Sequence, residues 1–168
     1  MTTHQPETSR LRDAPSVRSS IDIDAPIERV WETVTDPASF PEAIDWVFEA
    51  WIDGEGPLEE GSTYVERGKP GFREGSYRWE VTVCEPPRRT VHYHRSGELE
   101  AELELTLEPI DDETTCYTQR LWFRALPVFR PLGYVLERTV MRRGMQRDFD
   151  EMILPNFKRL AERAPVTA

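Results

Sequence analysis

An α+β fold, a curved antiparallel sheet closed over one long C-terminal helix, is what this sequence predicts. Three observations carry that expectation. The run Leu99-Glu100-Ala101-Glu102-Leu103-Glu104-Leu105-Thr106-Leu107-Glu108 alternates apolar and polar residues without a fault, the period of a strand with one greasy face and one wet face. Six further strand-like runs accompany it, and faces so different belong to an antiparallel sheet covered on one side only. The only long helical pattern, from about 132 to 161, stands at the far end of the chain, where it is the element available to cover Leu99, Ala101, Leu103, Leu105 and Leu107. The opposite row, Glu98, Glu100, Glu102 and Glu104, reads as a solvated face that discourages edge pairing, so a change at Glu102 is expected to be nearly silent.

The elements follow in order. Residues 17–23 alternate and form the first strand. Asp24-Ala25-Pro26 opens a helix, with Asp24 or Ala25 at the cap and proline in the first turn, where its missing N–H costs nothing. Ile27, Val30, Trp31 and Val34 then fall at helical spacing as one buried stripe. Asp36-Pro37 repeats the start signal and predicts a second short helix over about 37–44. Strands are expected over 46–53, 62–67, 76–85, 89–95, 98–108 and 114–124. Gly54-Glu55-Gly56-Pro57, Gly68-Lys69-Pro70-Gly71, Glu85-Pro86-Pro87, Ser96-Gly97 and Ile110-Asp111-Asp112 punctuate them. The last helix carries Leu132, Val135, Leu136, Thr139, Met145, Phe149, Met152 and Leu160 on one broad face, and Pro155 is expected to kink it. Seven strands, two short helices after the first, and one long terminal helix make a helix-grip domain.

With 168 residues the chain builds one core and no second domain. Residues 1–16 show no apolar periodicity and are expected to be a disordered tail before a domain over 17–164. No segment has the apolar core of a secretory signal or the length to span a bilayer, so a soluble, cytoplasmic protein without stable membrane insertion is expected. The 31 acidic residues against 21 basic ones argue against nucleic acid as a partner. The charge is uneven: residues 1–119 carry 11 basic and 26 acidic side chains, and residues 120–168 carry 10 and 5. The basic end reads as a complement to the acidic body, with a surface for anionic lipid or ligand as the alternative. Cys84 and Cys116 are isolated, lack metal-ligand spacing and read as core fillers; no metal and no cofactor is called for.

His92 and His94 are the sharpest candidates for chemistry. Two apart on one strand, they share a face. A two-residue turn at Ser96-Gly97 pairs Arg95 with Glu98, hence His94 with Leu99 and His92 with Ala101, on the leucine side; a bulged three-residue turn would reverse both. Two readings stand open: groups that bond or exchange protons with a ligand, or histidines bonded to their neighbours. Tyr77 and Trp79 alternate on one strand, and Tyr117, Gln119, Leu121 and Phe123 on another. Rings with a polar tip suit an apolar pocket that orients one ligand, and ordinary core packing accounts for them as well. The alternative inward row of the last strand is Cys116, Thr118, Arg120 and Trp122, which would make Arg120 an anchor for a carboxylate. The candidate ligand-binding residues are thus Tyr77, Trp79, His92, His94, Leu103, Leu105, Tyr117, Gln119 and Phe123. Phe72, Val128 and Phe129 are candidates for the rim, and Arg138, Arg142, Arg143 and Arg147 for a cationic helix face.

Several stretches carry a family likeness: Ile21-Asp22-Ile23-Asp24-Ala25-Pro26 with Val30-Trp31, then Asp36-Pro37, the Glu60-Gly61-Ser62-Thr63-Tyr64 turn, Glu85-Pro86-Pro87-Arg88-Arg89, and Thr114-Thr115. With the element order, they make residues 17–163 resemble the START-related, Bet v 1-like (SRPBCC) superfamily, in its polyketide cyclase/dehydrase-like branch. The resemblance implies the helix-grip fold and a cavity between sheet and helix. It implies no catalytic set, because lipid carriers, hormone receptors, cyclases and chaperone regulators share the fold. The expected role is binding of a small hydrophobic molecule such as a lipid, polyketide or aromatic metabolite. One alternative is a cyclase or dehydratase using His92, His94 or Tyr117 as acid and base. The other is a protein-interaction module of the chaperone-activator type.

Overall fold

In the computed structural model, which describes residues 10–11, 13–70, 74–96, 99–125 and 137–163, the alternating runs become one curved antiparallel sheet. Its strands are β1 (Ser16–Ile23), β2 (Val47–Ile52), β3 (Thr63–Gly68), β4 (Gly75–Glu85), β5 (Arg89–Arg95), β6 (Leu99–Pro109) and β7 (Thr115–Ala125). They lie in the order β1-β7-β6-β5-β4-β3-β2, so β1 and β2 are the edges. Helix α1 (Ile27–Thr35) and the one-turn α2 (Phe40–Ala43) follow β1, separated by a 3₁₀ turn at Pro37–Ser39. The terminal helix, α3, covers residues 137–162. Among the described residues no helix is long and apolar enough to cross a membrane.

Local chemistry accounts for the boundaries. Pro26 sits at the N-cap of α1 and contributes no side-chain cap, so the expected cap at Asp24 or Ala25 is one or two residues early. Asp36 does accept from the Ala38 N–H at 3.0 Å, opening the turn that the Asp-Pro signal predicts. Gly68 closes β3 where a side chain has no room, since a Cβ there would run into the Trp46 carbonyl oxygen. In α3, the Leu154 N–H reaches back to the Phe149 carbonyl, a wide π turn over Phe149–Ile153 directly before Pro155. Pro155 offers no N–H and crowds the preceding turn. The wider turn accommodates it while the helix runs on through Leu154–Glu162. Leu132, Val135, Leu136, Phe72, Val128 and Phe129 lie outside the described residues.

The leucine side of β6 faces the core as expected. Ala101, Leu105 and Leu107 are buried, Leu103 is partly so, and they pack in one cluster with Val30 and Val34 of α1 and Phe149, Ile153, Phe157 and Ala161 of α3. Polar ties lock helix to sheet. Gln146 donates to the Arg18 carbonyl at 2.8 Å, Ser19 bonds Asp150, and Asn156 donates to the Ala43 carbonyl at 3.1 Å. At the end of α3 Lys158 pairs with Glu162 at 2.9 Å and Arg163, just past it, with Glu42 at 2.9 Å, whereas Arg142 and Arg143 are exposed and Arg147, also exposed, lies 3.9 Å from Asp148.

The outer face corrects the expectation of a merely solvated glutamate row. Glu102 is only 2% exposed. The backbone N–H of Arg10 donates to its Oε2 at 3.1 Å, the Arg10 guanidinium lies 4.9 Å from the Tyr93 ring centre, and Leu11 is 2% exposed. Glu100 accepts from the Tyr93 hydroxyl and pairs with Arg124, and Glu104 pairs with Arg89 at 2.8 Å. Within the stretch read as a tail, Arg10 and Leu11 therefore pack on the sheet, and the Pro15 carbonyl accepts from the Phe123 N–H at 3.1 Å. Residues 1–9 and 12 lie outside the described residues.

Both faces should consequently respond to truncation. Leu105→Ala in the inward row is expected to cost about 2–5 kcal/mol as a core truncation. Leu11→Ala, against the opposite face, should also cost more than about 1 kcal/mol, beyond the range of surface changes. Urea denaturation of the two variants checks this; a silent Leu11→Ala would return the outer face to solvent.

Candidate functional site

The pairing of β5 with β6 sets the site. His92 stands opposite Leu103 and His94 opposite Ala101, two residues further along β6 than the Ser96-Gly97 turn predicts. Ser96 and Leu99 close the hairpin instead, with the Ser96 N–H donating to the Leu99 carbonyl at 2.8 Å. A shift of two keeps the face, because side chains alternate with period two. Both histidines therefore point inward, 1% and 3% exposed. On β7 the inward row is Thr115, Tyr117, Gln119, Leu121 and Phe123, opposite Leu107, Leu105, Leu103 and Ala101 from Tyr117 onward. Arg120 falls on the outer face, its guanidinium 4.3 Å from the Trp122 ring centre, and so is no anchor inside.

Between sheet and helices lies a cavity of about 20 Å³, lined by Val34, Phe40, Ile44, Tyr64, Glu66, His92, Leu103, Leu105, Tyr117, Gln119 and Phe157. That is room for about one water or one hydroxyl. Aromatic rings frame it edge to face: Tyr64 on Phe40 at 5.7 Å between ring centres, Phe40 on Phe157 at 6.2 Å, and Phe157 on Tyr117 at 6.1 Å. Trp79 stacks behind Tyr64 at 6.4 Å.

A chain of hydrogen bonds fixes the state of His92. The Val83 carbonyl can only accept, so Thr90 donates its hydroxyl to it at 3.0 Å. Thr90 Oγ1 then accepts from Nε2–H of His92 at 2.9 Å. Nδ1 is left with its lone pair, which accepts from the Tyr64 hydroxyl at 2.8 Å. Both ring nitrogens are occupied, and burial pushes the His92 pKa down to about 4. This imidazole is neutral and fully bonded. His94 differs: Nδ1 donates to the Arg78 carbonyl at 2.7 Å, while buried Nε2 has no partner among the described residues. Its ring lies 5.3 Å from Trp79 and 5.7 Å from Tyr77.

Of the nine residues expected at the site, His92, Leu103, Leu105, Tyr117 and Gln119 line this cavity, and Tyr77, Trp79, His94 and Phe123 do not. Tyr117 and Gln119 each bring a buried atom without a partner among the described residues, the Tyr117 hydroxyl and Gln119 Oε1. Glu66 escapes the sequence reading, as do Tyr64 and Thr90. The signal for the first two was present: Tyr64 and Glu66 share parity on β3, and a carboxylate on the tyrosine's side breaks the apolar pattern. Glu66 is half-buried and accepts from Trp79 Nε1 at 3.2 Å. Burial pushes its carboxyl up to about 7, and the Trp79 N–H pulls the other way. Burial also raises the thiols of Cys84 and Cys116, which makes both poor nucleophiles; Cys84 packs against the core as expected, whereas Cys116 lies on the outer face of β7 and is not a core filler. Among the described residues no cluster of histidine, cysteine and carboxylate side chains could hold a metal ion.

A family model described as polyketide cyclase/dehydrase and lipid transport matches residues 14–162. The chain belongs to this family. Its fold is similar to that of the Zhui aromatase/cyclase from Streptomyces sp. R1128, with TM-score 0.70, 15% identity, and 92% of this chain and 99% of that one covered. A protein from Thermus thermophilus is similar at TM-score 0.71 and 17% identity over 88% of this chain and 97% of that one. A START superfamily protein from Mycobacterium smegmatis is similar at TM-score 0.58 and 15% identity over 80% and 95%. At such identities the likeness is one of fold. No match was found among curated proteins.

The two titrating groups oppose each other. His92 holds its proton more weakly folded than unfolded, so its contribution to stability is complete above 6.5 and is lost as pH falls towards about 4. Glu66 holds its proton more tightly folded, so its contribution is complete below 4.5 and is lost as pH rises towards about 7. Glu66→Gln removes the second effect. The variant should therefore gain on the wild type as pH rises from 4.5 to about 7, by at most about 1.4 kcal/mol per pH unit. Urea unfolding of both proteins across that range checks it, and a difference independent of pH would refute the raised pKa.

Proposed function

We propose that this protein binds a small, largely apolar molecule between the sheet and α3 and holds its polar end at Tyr117 and Gln119. The observation that carries the reading is the pair of buried atoms on the cavity wall left without a partner among the described residues, the Tyr117 hydroxyl and Gln119 Oε1. An unmet buried polar group costs about 1–3 kcal/mol, and in an apolar core it calls for a partner from outside the chain. The rest of the wall is mostly apolar or aromatic, as a ligand pocket requires. The family description, which includes lipid transport, supports the same reading. A space of about 20 Å³ takes the polar end alone. The body of the ligand then lies against Leu103 and Leu105, with Phe40, Ile44 and Phe157 turning aside.

A cyclase- or dehydratase-type activity is the second reading, and in the cavity lining Glu66 suits it better than His92. Its carboxyl exchanges a proton near neutral pH on the same wall as the Tyr117 hydroxyl, an acid–base pairing suited to a carbonyl substrate. His92, with both nitrogens bonded, has no such freedom.

Tyr117→Phe separates binding from packing. The variant should unfold no more easily than the wild type, since it deletes an unmet polar group. Native mass spectrometry of gently purified wild type should show a small-molecule adduct that the variant loses or holds about tenfold more weakly. A destabilised variant, or a wild type that carries no adduct and takes up no apolar probe, would remove the binding role.

A further inference from the structure

The polar groups left free in the cavity also say what kind of ligand end fits. Tyr64 donates its hydroxyl hydrogen to His92 and His92 donates its ring N–H to Thr90, so neither has a hydrogen left for a ligand. What remains buried and unmet is the Tyr117 hydroxyl and one acceptor, Gln119 Oε1, beside the Glu66 carboxyl, which accepts when ionised and donates when protonated. Among the described residues no arginine or lysine lines the cavity, and Arg120 sits on the far side of the sheet against Trp122.

We propose that this cavity takes a neutral ligand hydroxyl end first, an alcohol or a phenol, and turns away carboxylates; this rests on the binding role proposed above. A hydroxyl accepts from Tyr117 and donates to Gln119 or Glu66, so one oxygen answers both unmet atoms. A ketone accepts from Tyr117 and leaves Gln119 Oε1 bare. An ammonium donates to Gln119 Oε1 and to the Tyr117 oxygen but has no lone pair for the Tyr117 hydrogen, which it leaves bare. A carboxylate accepts from Tyr117 but brings no hydrogen for Gln119 Oε1, meets the Glu66 carboxyl in the same lining and finds no counter-charge, so desolvation costs it more than that one bond returns. The volume fits as well, since the space for about one water is the space for a hydroxyl.

Three probes with one ring system and different polar ends test the inference: β-naphthol, β-naphthoate and methyl β-naphthyl ketone, titrated near neutral pH by calorimetry. The naphthol should bind the wild type about tenfold or more tighter than either of the others, the effect of one or two hydrogen bonds. Tyr117→Phe should bring the naphthol down to the level of the ketone. Glu66→Gln should raise the affinity for naphthoate relative to that for naphthol, because it removes the like charge that the carboxylate meets. Naphthoate bound as tightly as naphthol, or three probes bound alike, would overturn the selectivity while leaving the binding role in place. If none of the three binds, the binding role itself fails.

Discussion

The antiparallel ladder between β5 and β6 places His92 against Leu103 and His94 against Ala101, and the interior is organised around that pairing. Once Leu105 and Leu107 turn to the core, parity carries Thr90 and His92 in beside them, polar side chains that water can no longer reach. Their burial is tolerated because each finds a bond: Thr90 reaches the Val83 carbonyl and thereby fixes the tautomer of His92, which in turn fixes the Tyr64 hydroxyl. A chain of this kind is costly to break at any link, because the freed atom has no water to turn to. The bulge between Val81 and Val83 belongs to the same stretch of β4, where the ladder to β5 shifts register.

Around the cavity the polar groups fall into two sets. Tyr64, His92 and Thr90 close on one another and act as wall. Tyr117, Gln119 and Glu66 face the same space with bonding capacity to spare. The aromatic frame of Phe40, Phe157 and Tyr117 joins α2, α3 and β7 around that space, so the cavity exists only when all three elements are docked. An interior that keeps donors and acceptors unmet accepts a loss of stability, the usual mark of a site shaped for something other than folding.

The convex side handles its charge differently. The acidic row of β6 is bridged residue by residue, Glu100 to Tyr93 and Arg124, Glu102 to the Arg10 backbone, Glu104 to Arg89. Exposed ion pairs add little each. The hydrogen bond from the Arg10 backbone does more: with Glu102 and Leu11 both buried, the sheet acquires a second packed face near its middle.

Sequence periodicity alone determined the strand count, the strand order along the chain and the inward row of β6, because a period of two needs no tertiary partner to be read. It also made both histidines face inward, although the hairpin closes at Leu99 and every pair moves by two; parity survives that slip and would not have survived a slip of one. The tertiary structure decided what parity cannot. Whether Tyr117 or Cys116 faced the core depended on which residue of β6 each met across the ladder. Glu66 entered the site through the neighbours that β3 acquires in the sheet, Trp79 above all. Glu102 and Leu11, read as surface and tail, were buried by a contact spanning 92 residues of chain. A local pattern carries the direction of a side chain, and burial is a property of what the rest of the chain brings against it.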